Sequence, residues 1–105
     1  MGKAKIDQTV KTFAARVKTK FNPEKILLFG SYAKGSATEY SDIDILVIAS
    51  SFEHLPFKER LDELHRLALD LEPDVNAFGF TPEEVKKQNY VTTLRDALST
   101  GKNIS

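Results

Sequence analysis

The chain has 105 residues, with 15 Lys and Arg against 15 Asp and Glu and no cysteine. A chain of that length is expected to fold as one domain over residues 1 to 105, and its balanced charge supplies no basic excess to grip a nucleic-acid backbone. The missing thiols exclude a disulfide framework and cysteine-ligated zinc, no apolar run approaches a membrane span, and no signal-peptide core precedes residue 20, so a cytoplasmic location is expected.

Residues 4 to 20 set Ile6, Val10, Phe13, Ala14 and Val17 at helical spacing, with Asp7 early and Lys18 and Lys20 late, as a helix dipole prefers. That helix is predicted to stop near Asn22-Pro23. Lys25 to Phe29 is nearly all apolar and ends in Gly30, the pattern of a buried strand followed by a sharp turn. A short helix is predicted to open between Tyr32 and Lys34, and a second apolar strand carries Asp42 and Asp44 towards Val47. Residues 56 to 71 repeat the helical spacing with Phe57, Leu61, Leu64, Ala68 and Leu71, and the charges between them read as a solvated face. His65 flanks that stripe as a partly buried histidine with no metal-ligand spacing to His54. After a break at Pro73, Asp74 to Phe78 alternates as a strand. Thr81-Pro82-Glu83-Glu84 is a capped helix start, and Val91, Leu94 and Leu98 mark a last amphipathic helix that stops at Gly101. The order gives α/β layers, with a small sheet, its edge exposed near the acids, and helices expected on one side of it.

The chemistry concentrates between residues 30 and 47. Gly30 has no side chain to keep the backbone away from a ligand, and the Ser31 hydroxyl and following N–H groups can donate to phosphate oxygens, aided by the positive end of a short helix. Lys34 adds a compact positive charge. Side chains on a strand alternate, so Asp42 and Asp44 share a face with Cα atoms about 6 to 7 Å apart. Two carboxylates so placed repel each other unless a cation lies between them, and magnesium takes hard oxygen ligands from one or two carboxylates and a substrate phosphate. A P-loop also spaces glycines as Gly30 and Gly35 are spaced, but it requires Lys and then Ser or Thr after the second glycine, where this chain has Ser36-Ala37.

Gly30-Ser31, Gly35, Ser41-Asp42, Asp44 and Val47 match the signature of the DNA polymerase beta-like nucleotidyltransferases, and the chain resembles their minimal nucleotidyltransferase family, the antitoxin partners of HEPN-domain toxins. Lys34 stands where many relatives carry arginine, which keeps the charge and loses the bidentate fork. The resemblance implies the nucleotidyltransferase fold, with a three-stranded mixed sheet and helices packed against it. It implies ATP as nucleotide donor, Mg2+ on Asp42 and Asp44, and a third acid on a neighbouring strand, for which Asp74 is the candidate as metal ligand or proton acceptor and Glu72, before Pro73, the runner-up. Gly30, Ser31, Lys34 and Ser41 would then bind the nucleotide. Because this domain is too short to include an accessory acceptor-holding domain, the acceptor is expected on another protein: a tyrosine hydroxyl of a HEPN-domain partner. A non-catalytic antitoxin that neutralises its partner by binding is the alternative.

Overall fold

The computed structural model describes residues 2–38, 41–87 and 92–105. Helix α1 (Lys3–Phe21) buries Val10, Phe13, Ala14, Val17 and Phe21 along one face. It stops where the sequence predicts: Asn22 adopts a left-handed conformation, φ 47°, and its N–H closes on the Lys18 carbonyl ahead of Pro23. Strand β1 (Lys25–Phe29) leads directly into the short helix α2 (Gly30–Lys34).

Strand β2 (Ile43–Ile48) is the centre of the sheet. It pairs antiparallel with β1, Phe29 facing Asp44, and parallel with β3 (Val75–Phe80), Asp44 facing Asn76. A two-residue strand, β4 (Lys102–Asn103), adds to the free side of β1, so the order is β3-β2-β1-β4. The expected mixed three-stranded sheet is present, and β4 extends it.

Burial on both faces makes β2 nearly all apolar. Ile43, Ile45 and Val47 join α1 and Leu64 in the larger core. Leu46 and Ile48 turn the other way, with Leu27, Phe29, Leu94 and Ala97. Leu94 and Ala97 belong to α5 (Thr92–Thr100), so helices cover both faces rather than the one side expected. The sheet could not otherwise bury both sets of side chains from a continuous apolar strand. Val91, assigned to this helix stripe, lies outside the described residues, and Leu98 is 37% exposed.

Helix α3 (Phe57–Arg66) ends a turn earlier than its apolar spacing predicts. Ala68 and Leu71 continue as turns bonded to His65 and Ala68, and Arg16 of α1 draws off the Leu67 carbonyl at 2.8 Å while forking onto Asp70. The Arg16 guanidinium holds the Asp70 carboxyl below the usual carboxylate range. His65 is exposed rather than partly buried. Helix α4 (Pro82–Lys86) starts on the predicted capping box, Thr81 and Glu84 each accepting the other's backbone N–H.

Gly79 on β3 faces the ring of Phe52, which is fully buried, and a methyl group there would sit 2.7 Å from the ring edge. Gly79→Ala is therefore expected to lower stability by about 1 to 3 kcal/mol through overpacking. Chemical denaturation checks this, and an unchanged midpoint would show that the ring can move aside.

Candidate active site

Antiparallel β1 ends where β2 begins, and parallel β3 begins at the same end, so three chain segments converge there. The turn after β1 brings Gly30 against Asp44. Gly30 has φ +74°, and a Cβ on it would lie 2.2 Å from Asp44 Oδ2 and 3.1 Å from its carboxyl carbon. The glycine is thus required by backbone conformation and by contact with the acid, before any ligand is considered. Gly35, φ 77°, closes α2 with its N–H on the Ser31 carbonyl, and Ser36 N–H reaches the same oxygen at 3.0 Å. Lys34 is the last residue of α2 and is exposed.

Ser41 organises the approach to β2. Its hydroxyl accepts the Thr38 N–H at 2.9 Å and lies 3.4 Å from Thr38 Oγ1, its N–H returns to the Thr38 carbonyl, and its carbonyl accepts from Tyr32 Oη at 3.3 Å. This knot ties the loop to α2 and sets where Asp42 emerges. Asp42 is exposed just before β2, and Asp44 is partly buried within it.

On β3 the residue beside Asp44 is Asn76, whose Nδ2 donates to Asp42 Oδ2 at 3.0 Å. Asp74 is exposed one step before β3, and its carbonyl accepts the Ile43 N–H at 2.8 Å, which continues the register so that Asp74 faces Asp42. Among the described residues no three His, Cys, Asp or Glu side chains gather closely enough to hold a cation by themselves. The strands bring together two carboxylates and an amide, with Asp74 at the rim. Asn76 is the residue that sequence reasoning passed over, although strand alternation from Asp74 already placed it on the same face.

The two carboxylates fit magnesium: hard oxygens, few in number, and open to phosphate oxygens that complete the shell. The missing Cβ of Gly30 lets the turn pack directly against the Asp44 carboxylate.

Residues 10–98 match the family described as "Nucleotidyltransferase domain". The chain belongs to that family. It is 33% identical over 98 residues to a Methanocaldococcus jannaschii protein named "Putative protein adenylyltransferase", covering 91% of this chain and 94% of the relative. It is 34% identical over 70 residues to the protein adenylyltransferase MntA of Thermococcus cleftensis, covering 63% of this chain and 71% of the other. A solved structure titled "Crystal structure of the toxin-antitoxin with AMP-PNP" superposes with a TM-score of 0.63 at 27% identity, covering 93% of this chain and 71% of that one. Another Methanocaldococcus jannaschii protein of the same descriptive name is longer, and the match spans 46% of it. These relatives place the chain with the minimal nucleotidyltransferases of the antitoxin type, as the residue 30 to 47 pattern led one to expect. No helix among the described residues is long and apolar enough to cross a membrane.

Proposed function

We propose that this chain transfers AMP from ATP to a tyrosine hydroxyl on a HEPN-type toxin partner, with Mg2+ held by Asp42 and Asp44. The observation that carries the reading is the contact between Gly30 and Asp44: the phosphate turn and the metal-binding strand are built against each other, so triphosphate and cation would share one site. The relatives named protein adenylyltransferase, and the toxin-antitoxin relative with AMP-PNP, support donor and partner class.

In this reading the N–H groups of the Gly30-Ser31 turn, the Ser31 and Ser41 hydroxyls and the Lys34 ammonium hold the phosphates in line. Asp42 and Asp44 would fix the cation, whose bound charge stabilises the phosphoryl oxygens and lowers the pKa of the attacking hydroxyl. The tyrosine oxygen forms a bond to the α-phosphorus, the bond from that phosphorus to the oxygen bridging the β-phosphate breaks, and pyrophosphate leaves with the electron pair. Asp74, at the rim beside Asp42, would take the hydroxyl proton or complete the metal site.

The test mixes the chain with a HEPN-type protein encoded beside its gene, each of the four ribonucleoside triphosphates and magnesium, and reads intact masses. The partner is expected to gain one or more AMP masses with ATP. Asp42→Asn or Asp44→Asn should remove the gain while melting stays the same or rises slightly, because the substitution relieves repulsion between the two acids. A tight complex without adduct from any nucleotide would favour neutralisation by binding alone, and an unfolded Asp44→Asn variant would give that residue a structural role.

A further inference from the structure

We infer that Asn76 is a positioning residue for the metal site: its amide fixes the rotation of the Asp42 carboxylate and leaves the second oxygen to face the cation. The inference rests on the proposed metal reading of Asp42 and Asp44.

Three observations carry it. Asn76 lies beside Asp44 in the parallel register, yet its Nδ2 reaches diagonally to Asp42 Oδ2 at 3.0 Å. That bond is the one side-chain hydrogen bond Asp42 makes among the described residues, and it engages one of the two carboxylate oxygens. Asn76 is also exposed within a strand, where asparagine is disfavoured and burial gives no reason for it.

Chemistry explains why an amide suits this place. A carboxylate accepts hydrogen bonds only, so a neighbour that orients it must donate. An aspartate at position 76 would donate nothing and would set a third negative charge one strand spacing, about 4.8 Å, from Asp44. A leucine would match the size of asparagine and leave Asp42 free to rotate. The amide donates without adding charge, so Asp42 is held in place before the cation arrives, and less ordering remains to be done on binding. Partners that orient metal ligands in this way typically alter metal affinity by about 10- to 100-fold when removed.

The experiment measures manganese binding by electron paramagnetic resonance in the presence of a non-hydrolysable ATP analogue, for the wild-type chain, Asn76→Leu, Asn76→Ala and Asp44→Asn. Both Asn76 variants are expected to keep their melting temperature and to weaken manganese binding by about tenfold. In the transfer assay the metal concentration giving half-maximal rate should rise by the same factor, while kcat at saturating metal is maintained. A merely structural role would lower the melting temperature and leave that split absent. Unchanged manganese affinity in both Asn76 variants, with Asp44→Asn still abolishing binding, overturns the inference and leaves the proposed function standing. Manganese binding that Asp44→Asn does not affect overturns both.

Discussion

Gly30→Ala should nearly abolish nucleotide transfer, by at least about 100-fold, while lowering stability by only about 1 to 2 kcal/mol. The two effects have separate causes. The stability loss comes from placing a side chain at φ +74°, which an L-residue other than glycine rarely adopts. The activity loss comes from what the new methyl group meets, since it would stand 2.2 Å from Asp44 Oδ2 and close to the rest of that carboxyl group. The turn is fixed by the end of β1, so the acid must give way, and displacing a metal ligand by an ångström removes the alignment on which in-line transfer depends. Manganese binding should therefore fall together with transfer, in a chain that still melts cooperatively. Retained metal affinity in a folded Gly30→Ala variant would mean that Asp44 is not held by this contact, and would weaken the proposed site.

Local pattern made much of the fold legible. The stop of α1 at Asn22-Pro23, the strand before Gly30, the capping box at Thr81 and the end of α5 at Gly101 each depend on residues within a few positions of one another. Gly101 even has a contact reason, as its N–H bonds the Ala97 carbonyl at 2.9 Å and a Cβ would clash with that oxygen. Tertiary pairing was less legible. Alternation put Asp74 and Asn76 on one face, but only the parallel register shows that Asn76, and not Asp74, lies beside Asp44. Strand β4 has two residues, too few for any periodicity to register. The early end of α3 depends on Arg16, which is 51 residues away from the Leu67 carbonyl it binds. Arg60 was the largest departure: helical spacing assigns it to a solvated face, yet it is 5% exposed.

That burial leads to a large expected stability effect: Arg60→Ala should cost about 3 kcal/mol and lower the melting temperature by about 10 to 20 °C. The guanidinium ties α3 to Leu55, to β3 and to Glu84 of α4. Its Nε donates to the Leu55 carbonyl at 2.7 Å, one terminal nitrogen to the Gly79 carbonyl at 3.2 Å, and both terminal nitrogens fork onto Glu84. Its Cζ lies 5.6 Å from the centre of the buried Phe52 ring. Alanine would empty this space and remove the donors to two carbonyls and a carboxylate. Glu84 sharpens the test. Partial burial pushes its carboxyl up, but the Arg60 fork, the Thr81 N–H and the guanidinium charge together outweigh burial and hold it below the usual range. A carboxyl so depressed stabilises the fold above its unfolded value, near pH 4.3 to 4.5, and that contribution is lost as pH falls through the folded value. Glu84→Gln should thus be less stable than wild type by about 1 kcal/mol at neutral pH, since the group is part exposed, and the gap should close on acidification below about pH 4. Melting curves of wild type, Arg60→Ala and Glu84→Gln at neutral and acidic pH decide the matter. A melting temperature for Arg60→Ala within about 3 °C of wild type would show that the buried guanidinium only compensates for its own desolvation.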